Sequence, residues 1–522
     1  MIPRVLIPLL LVAVGTGVYV TGGLGSKDAE AGDGIYVAQS GAGSESGRGG
    51  CGNAHPLAWL NAAGSWGRGA GRVQAGGTVD LCGTLTQPIA IAQSGAPGAP
   101  ITLRFMPGAA IRLPACPAVT GCIDTAGHRY VTIEGAGAAA HGTIEDTEQG
   151  TGRKHESSVG IQAANCTGCT FRYLTIANLY VHTAVSDSAV EGSEVRGINF
   201  SGSDVTIAHN TLHDIGWALL AEWNRSDGND RIEANTIYHI DHGFASTADF
   251  SGGSIGPLYV DHNHIYGYAN WDTEADSYHH DGIHCFSADS VGYEPHYNGF
   301  YIYDNRFGGG TGRDMTGQIF LEGTPDKTPC GDRTSNVWIF NNVALDTSTT
   351  TFTNGIFGIF STEAHVYNNT LIGQPTPENT CYSSNSAALD ERFANNLLST
   401  CSTLISVSTG PRIFAHGGLN HNLYAGGRGQ SNSFVCGESG YFPFTALARW
   451  QRCMAGDGAS RTAADARIRT GGGDVGALQS HSSARRAGIN LSSLCAGPTQ
   501  PLCANIDGRP RPRTGAWDAG AY

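Results

Sequence analysis

Val205-Thr-Ile-Ala-His-Asn210-Thr-Leu212 is one copy of a short pattern that recurs along the middle of the chain. Each copy has an alternating run typical of a β-strand, then an asparagine, and then an aliphatic or aromatic residue one or two places later. The asparagines of the copies are Asn210, Asn235, Asn263, Asn305, Asn342, Asn369, Asn396 and Asn422. Their spacings are 25, 28, 42, 37, 27, 27 and 26 residues, and periods of about 20 to 50 residues indicate a solenoid, propeller or array.

The length and content of the copies select among these repeat architectures. Each copy holds only short β segments, which excludes helical repeats, and most copies are shorter than the about 40 residues of a propeller blade. In a parallel β-helix, equivalent residues of successive coils stack about 4.8 Å apart. Asparagine suits such a ladder because it tolerates the left-handed conformation and its side-chain amides can hydrogen-bond along the stack. The repeat therefore predicts a parallel β-helix of roughly ten or more coils from about residue 75 to 430, with the apolar residue after each asparagine in the core.

The composition of the 522-residue chain favours a folded protein of many short strands. With 74 glycines, 40% hydrophobic residues and 15% charged residues, the chain is too apolar and too weakly charged for disorder. Its net charge is −14, and Arg509–Arg513 is the one short basic stretch. A nucleic-acid partner is therefore not expected. The overall charge also disfavours an acidic polymer, although a local basic patch could hold one.

The N-terminus is predicted to be an export signal. Arg4 supplies a positive start, Val5 to Val20 is a 16-residue run without a charge, and Ala29-Glu30-Ala31 offers a cleavage site. The run is short for a spanning helix of about 20 residues, so a cleaved signal is favoured over an uncleaved anchor. No second long apolar run occurs in the sequence, and no other membrane contact is expected. The protein is predicted to be secreted or held at the cell surface.

Cysteine usage agrees with export, since the chain has 14 cysteines and an oxidising compartment allows neighbours to form disulfides. The close sequential pairs are Cys116 and Cys122, Cys166 and Cys169, Cys381 and Cys401, Cys436 and Cys453, and Cys495 and Cys503. A zinc site at Cys166 and Cys169 would need two further ligands at close spacing, and none is nearby. A local disulfide or two core thiols are favoured there.

Three stretches of the sequence carry a resemblance to a known superfamily. They are Ile35-Tyr-Val-Ala-Gln-Ser-Gly-Ala-Gly-Ser44 at the start, Gly76-Gly-Thr-Val-Asp-Leu-Cys-Gly-Thr84 with Pro100-Ile-Thr-Leu and Gly108-Ala-Ala-Ile111 in the first coils, and Asp507-Gly-Arg-Pro-Arg-Pro with Gly515-Ala-Trp-Asp-Ala-Gly-Ala-Tyr522 at the end. The chain resembles the pectate-lyase-like superfamily of bacterial secreted proteins. This resemblance implies an all-β fold, a right-handed parallel β-helix with N- and C-terminal capping segments. The fold carries lyases, hydrolases, epimerases and non-enzymatic surface proteins, so it does not by itself decide the function.

The repeat and the resemblance together predict the division of the chain. The predicted segments are a signal peptide or N-terminal anchor at 1–31, an N-terminal cap and first coils at 32–115, the β-helix with insertions near 266–281 and 308–335 at 116–430, and a C-terminal capping segment at 431–522. Insertions on a solenoid cluster on one face and often form the binding site. The chemistry is therefore expected where the two longest repeat spacings lie.

The first of these long spacings holds the densest group of titratable and aromatic residues, Asn270-Trp-Asp272-Thr-Glu274-Ala-Asp276-Ser-Tyr278-His279-His280-Asp281-Gly-Ile-His284. Gly282-Ile283 aligns with the strand starts Gly197-Ile198, Gly243-Phe244 and Gly355-Ile356. If Ile283 points inward, period two turns His284 outward and leaves His280 and Asp281 at the strand edge.

The stacking of coils is expected to bring further candidates to the same surface. His242 lies at the aligned position one coil earlier, Glu222 and Trp223 lie two coils earlier, and Glu322 lies one coil later. The sequence predicts Asp281 as general acid or base with Glu322 or Glu222 as its partner, and His280 and His284 as groups that position the substrate. Predicted substrate-binding residues are His242, Trp223, Trp271, Tyr278, Arg313 and Arg333. Asp272 and Asp276 could bind Ca²⁺ or belong to a solvated loop, and no other cofactor is expected.

The predicted function is cleavage of glycosidic bonds in an extracellular polysaccharide. Polygalacturonase-type hydrolases of this fold carry an Asp-Gly-Ile run, which Asp281-Gly282-Ile283 resembles, but His284 replaces the second aspartate of their pattern. Lyases of the superfamily use a Lys or Arg base with calcium, and no matching basic cluster occurs in the strands. A hydrolase is placed ahead of a lyase. A lyase or epimerase, or a non-catalytic glycan-binding or cell-surface protein, remains the alternative.

Overall fold

The computed structural model describes most of the chain from residue 34 onward. The described ranges are 34–150, 156–179, 195–224, 226–248, 253–268, 279–286, 295–309, 315–323, 330, 335–346, 354–360, 363–374, 380–385, 390–426, 432–437 and 440–522. The predicted signal segment 1–31 lies outside these ranges and stays a prediction.

The described strands form three long sheets whose members pair in parallel from one coil to the next. The first sheet has 14 strands. In sheet order they are His55–Pro56, Ile35–Ala38, Thr78–Cys82, Ile101–Phe105, Val131–Glu134, Thr170–Arg172, Thr206–Ala208, Asp230–Glu233, Leu258–Asp261, Phe300–Tyr303, Val337–Phe340, Ala364–Tyr367, Glu391–Ala394 and Phe414–Asn420.

In most coils from Thr78–Cys82 onward, a strand of the second sheet follows the strand of the first sheet after a short connection. Its members are Thr84–Leu85, Ala110–Leu113, Gly142–Asp146, Leu174–Ala177, the first halves of Thr211–Trp223 and Thr236–Ala248, His264–Tyr266, Arg306–Gly308, Val343–Leu345, Thr370–Ile372, Leu397–Ser399, Leu423–Ala425 and Arg461–Ala463.

The third sheet completes each coil and carries the candidate site. Its members are Ser158–Ala163, Val195–Phe200, the second halves of Thr211–Trp223 and Thr236–Ala248, His280–Phe286, Met315–Leu321, Phe357–Ile359, Thr380–Ser384, Thr403–Val407 and Ser433–Cys436. The hairpin strand Gly440–Pro443 pairs antiparallel with its last member. Successive strands along the chain join the three parallel sheets in turn, which is the architecture of a right-handed parallel β-helix. The fold prediction is therefore confirmed.

Short elements occupy the ends and sides of this solenoid. The helices are Leu57–Leu60 and Leu447–Cys453, with 3₁₀ turns at Cys51–Asn53, Ala63–Ser65, Pro411–Ile413, Phe444–Ala446, Ser492–Leu494 and Gly497–Cys503. Two further strand pairs are Ile89–Ala90 with Ile123–Asp124 and Ser254–Ile255 with His296–Tyr297. None of the described helices is long and apolar enough to cross a bilayer.

The asparagine ladder stands in register at the turn between the first and second sheets. The Nδ2 of Asn305, for example, donates to Asn342 Oδ1 at 3.0 Å and to the Val260 carbonyl at 2.8 Å. The left-handed residue is not the asparagine itself but the residue before it, such as Asp304 with φ 54°. The residue with the left-handed conformation therefore lies one position earlier than expected.

The interior of the coils is one continuous apolar core that runs from Val37 to Met454. The residues two places after the ladder asparagines, such as Leu212, Ile237 and Ile265, are buried in it, as predicted. The C-terminal segment turns back along the outside of the solenoid, where Trp517 and Leu502 pack on the outward aromatic rings of the first sheet.

Seven disulfides cross-link the chain. All five sequential pairs predicted above form bonds, and Cys51–Cys82 and Cys285–Cys330 complete the set. Cys166 and Cys169 are bonded to each other, so the zinc alternative at this pair is wrong. Seven disulfides are typical of an extracellular protein.

Candidate functional site

The predicted alignment of coils at the third sheet holds at most positions. Ile283 pairs with Phe244 on the preceding coil and with Ile319 on the next, and His242 pairs with Asp281. Gly355-Ile356 was aligned one residue too early, because Phe357 is the residue that pairs with Ile319. The third sheet thus brings His242 next to the His280–Phe286 strand.

Glycine shapes the strand at this point. A Cβ on Gly282 would lie 2.4 Å from the Gln318 carbonyl oxygen of the next coil, so a larger residue would push the coils apart. The pairing with the next coil also shifts between His280 and Asp281. A regular strand would place Asp281 and His284 on opposite faces, yet Asp281 Oδ2 and His284 Nδ1 are 3.4 Å apart. The irregular strand therefore turns both side chains to the same side.

Three imidazoles and one carboxylate converge there, and we call His242, His279, Asp281 and His284 the histidine–aspartate cluster. Asp281 Oδ2 lies 3.4 Å from His242 Nε2 and 3.3 Å from His279 Nε2. His242 Nε2 and His284 Nδ1 are 3.1 Å apart. The backbone N–H of Gly317 donates to Asp281 Oδ1 at 2.9 Å, which fixes the carboxylate and leaves Oδ2 facing the three nitrogens.

Burial controls the electrostatics of the histidine–aspartate cluster. Burial holds the pKa of His242 and of His284 well below the ordinary value, so both imidazoles are neutral. Burial also raises the pKa of Asp281 to about 6, although contact with His279 opposes this shift. Burial lowers the pKa of His279, but Asp281 outweighs this effect and the net shift is upward. The His279 side chain is 43% exposed, whereas the other three are nearly inaccessible.

Aromatic rings surround the histidine–aspartate cluster. Trp217 lies against His242 with ring centroids 4.4 Å apart and meets the Phe286 ring edge-on. Phe320 stacks on His284 at 5.1 Å. Trp217 was not among the predicted residues, although its position one coil before His242 in the alignment could have indicated it.

Two of the predicted residues point away from this surface. Trp223 is buried in the core, where its indole N–H donates to Ser246 Oγ at 2.6 Å. Its neighbour Glu222 points outward, so period two turns Trp223 inward, and its predicted contact with substrate is wrong. His280 is fully buried with Nδ1 3.3 Å from Asp241 Oδ1, so it does not face the substrate surface as expected.

The predicted carboxyl partners of Asp281 lie further along the sheet. Asp281 pairs with Gly317, whereas Glu322 follows Leu321, the partner of Cys285. Glu322 is thus five positions away from the Asp281 partner, about 16 Å of extended backbone. Its charge nevertheless contributes to the raised pKa of His279.

Glu222 has the same offset two coils earlier. It pairs with Thr247, while the Asp281 column passes through Trp217. The number of coils between these residues was predicted correctly, but the offset along the strand was overlooked. Trp271, Tyr278, Arg313, Arg333, Asp272 and Asp276 lie outside the described residues, so their assigned roles and the calcium site stay predictions.

Glu222 instead belongs to a polar row on the outer surface of the third sheet. Asn199 Nδ2 donates to Gln162 Oε1 at 3.0 Å and to Glu222 Oε2 at 2.8 Å. Arg196 lies 3.4 Å from Glu222 Oε1. Gln162 and Asn199 stand in the same column as His284, and the apolar Leu220 and Ala245 of the two coils between them separate this polar row from the histidine–aspartate cluster.

No family model matches the chain, and no curated protein matches it. Among solved structures, it is similar to a PL6 family alginate lyase at 13% identity and a TM-score of 0.34, over 70% of this chain and 43% of the lyase. A thermostable GH87 α-1,3-glucanase from Streptomyces thermodiastaticus aligns at 13% identity and a TM-score of 0.34, over 70% of this chain and 63% of the glucanase. The Dettilon tailspike protein aligns at 14% identity and a TM-score of 0.32, over 61% of this chain and 59% of the tailspike.

The chain therefore spans less than two thirds of the length of each of these structures. Similarity at this level carries no argument about activity. The β-helix fold stands on the strand pairing of the chain itself.

Proposed function

We propose that this chain is a carbohydrate-active enzyme that cleaves glycosidic bonds of an extracellular polysaccharide on the outer surface of the third sheet. The observation that carries the proposal is the convergence of His242, His279, Asp281 and His284 on one point, with His279 half-exposed above it. Groups that take up and release protons are concentrated in this way where chemistry is performed.

The surroundings of the histidine–aspartate cluster support a polymeric ligand. Outward residues of successive coils stand about 4.8 Å apart, so they offer contacts in a line along the solenoid axis. Gln162 and Glu222 supply amide and carboxylate groups for sugar hydroxyls, and the buried Asn199 holds both of them in place. Trp217 supplies a partly exposed aromatic ring for the apolar face of a sugar. A linear chain of sugars fits this arrangement better than a small compact ligand does.

The paired-carboxylate mechanism is not what supports the proposal. Hydrolases of this type hold two carboxyl groups about 5 to 5.5 Å or about 6.5 to 9.5 Å apart. Glu322 and Glu222 each lie five positions along the strand from the residue that is in register with Asp281, so their backbone positions support neither of these carboxyl–carboxyl distances. We therefore place the reaction centre in the histidine–aspartate cluster alone, and the products of the reaction separate hydrolysis from elimination.

The test is a broad panel of polysaccharides incubated with the purified protein, with reducing ends and the absorbance of unsaturated products both measured. Reducing ends alone indicate a hydrolase, and both signals indicate a lyase. On the responsive polysaccharide, we expect Asp281→Asn to lose activity by about 100-fold or more, the range for loss of an acid–base group.

The matched control is Asp214→Asn, because Asp214 also contacts two histidines, His213 and His239, but lies at the bend between the second and third sheets, outside the histidine–aspartate cluster. We expect this variant to keep full activity. Full activity of Asp281→Asn contradicts the assignment of the reaction centre. Binding without cleavage across the whole panel replaces the proposal with a glycan-binding protein.

A further inference from the structure

The spacing of atoms in the histidine–aspartate cluster is that of a metal coordination shell. A tetrahedral ion that is bound at about 2.0 to 2.2 Å by nitrogen and oxygen holds its ligand atoms about 3.3 to 3.6 Å apart, because a tetrahedron's edge is about 1.63 times its centre-to-corner distance. Four of the six separations between the ligand atoms of the cluster are 3.1, 3.3, 3.4 and 3.4 Å. All four ligand atoms lie within 4.8 Å of one another.

We propose that His242 Nε2, His279 Nε2, His284 Nδ1 and Asp281 Oδ2 bind one divalent transition-metal cation of the zinc class. Three imidazole nitrogens and one carboxylate oxygen suit zinc and its neighbours, whereas calcium and magnesium take six or more oxygen ligands. The site is therefore different in kind from the calcium site predicted at Asp272 and Asp276.

Without a cation, the cluster depends on hydrogen bonds among its own members, because the imidazoles must donate N–H groups to one another and to Asp281. With the other ring tautomers, the same four atoms turn their lone pairs to one point. A divalent cation at the centre would accept all four lone pairs at once.

Strand pairing holds three of the four proposed ligands in place before any metal binds. Asp281 and His284 come from one strand, and His242 comes from the paired strand of the preceding coil, so strand pairing sets their relative positions. The Gly317 N–H holds the second oxygen of Asp281, which is the outer hydrogen bond that orients a metal-binding carboxylate.

His279 differs from the other three ligands in position. It precedes the His280–Phe286 strand and its side chain is 43% exposed, so the solvent side of the site is the His279 side. Because the four side chains fill a tetrahedral shell, a substrate or a water molecule would reach the cation from there as a fifth ligand or in place of His279. This inference deepens the proposed function, because a bound cation can polarise a sugar oxygen or a water molecule. It rests on the proposed function only for the identity of the substrate.

The test measures metal binding in the absence of any polysaccharide. The full chain is stripped with a chelator, dialysed, and titrated calorimetrically with Zn²⁺ and separately with Ca²⁺. We expect one Zn²⁺ per chain and a rise in melting temperature with Zn²⁺, and we expect any Ca²⁺ uptake to be the same in the native chain and in the cluster variants. Visible absorption after loading with Co²⁺ gives a second reading of tetrahedral coordination.

The variants for this test are Asp281→Asn and His284→Gln, with Asp214→Asn as the control. We expect both cluster variants to lose more than about 100-fold in Zn²⁺ affinity, beyond the about 10- to 100-fold lost on mutation of an outer partner. The control should bind as the native protein does. Circular dichroism measures whether each variant is folded. If one of them is not, His279→Gln takes its place, because His279 is the exposed ligand.

Absence of Zn²⁺ binding by the native chain, or equal binding by the cluster variants and the control, overturns the metal proposal. Since no substrate is present, that outcome leaves the proposed cleavage activity untouched. A polysaccharide assay that fails while Zn²⁺ still binds refutes the proposed function and leaves the metal site standing.

Discussion

Trp217 and Trp223 lie six positions apart on one strand and meet opposite environments. Trp217 is partly exposed beside His242, whereas Trp223 is buried and donates its indole N–H to Ser246 Oγ. At the scale of single residues, the direction of a side chain decides whether an aromatic residue can meet a sugar or must support the core. The histidine–aspartate cluster follows the same rule, since the irregular strand at Gly282 turns Asp281 and His284 to one side.

This difference between the two tryptophans leads to a prediction about stability. We expect Trp223→Phe to lower the free energy of unfolding by about 1 to 3 kcal/mol, because the buried Ser246 hydroxyl loses its donor and the core loses contact area. Denaturant unfolding measures this change. Trp217→Phe is the control and should leave the free energy of unfolding nearly unchanged. A Trp223→Phe variant of native stability that binds polysaccharide poorly would restore Trp223 to the substrate surface.

The elements of the molecule are held together at their turns by the asparagine ladder. Asn305 connects three coils: it donates to Val260 O and Asn342 Oδ1, and its own Oδ1 accepts from the N–H and Nδ2 of Asn263 at 3.0 Å. Each buried amide satisfies backbone groups that the turn would otherwise leave unpaired. The ladder therefore stabilises the turns as well as marking them in the sequence.

We expect Asn305→Ala to destabilise the fold by about 3 kcal/mol or more, because several buried donors and acceptors lose their partners, each at about 1 to 3 kcal/mol. The control is Asn298→Ala, an exposed asparagine near the same strand. Thermal and denaturant unfolding of the two variants measure the difference. Equal stability of the two variants would mean that the ladder amides contribute no net stability.

The whole molecule buries several carboxyl groups that prefer to be protonated. Burial raises the pKa of Asp146 to about 7, of Asp230 to about 8 and of Asp304 to about 7. Glu391 is the clearest case: it is fully buried, accepts hydrogen bonds from Tyr382 at 2.7 Å and Ser384 at 3.2 Å, and has a pKa raised by burial to about 8. These carboxyl groups therefore bind more protons in the folded chain than in the unfolded chain between their ordinary and their raised pKa values.

This proton balance sets the sign of the pH dependence. The stability that Glu391 contributes is fully present below its ordinary pKa of 4.5 and is lost as the pH rises to about 8. We expect the melting temperature to fall from about pH 7 to about pH 8, where the histidines of lowered pKa are neutral in both the folded and the unfolded chain, and we expect it to fall less steeply in Glu391→Gln, since glutamine cannot lose a proton. Melting curves across this range measure both slopes. Identical slopes for the native chain and the variant would show that Glu391 does not titrate in this range.

The sequence alone was enough to determine the solenoid and its coil spacing, and it indicated the close cysteine pairs that could form local disulfides. Those features depend on residues that are close in the chain or that repeat in every coil, such as Asn210 and Asn235 or Cys116 and Cys122, so one pattern reports them all. Period two also predicted correctly that Ile283 points inward and His284 outward.

Only the tertiary structure decided which candidate residues meet. His242 and His284 are 42 residues apart, and they touch because strand pairing joins successive coils across an insertion. The positions of Glu322 and Glu222 relative to Asp281 were predicted incorrectly, because a repeat gives the number of coils between two residues but not their offset along the strand. His279 belongs to the stretch 270–284 that the sequence indicated, but no role was predicted for it. It precedes a strand made irregular near Gly282, and such a departure from period two is set by coil-to-coil packing that no local pattern records.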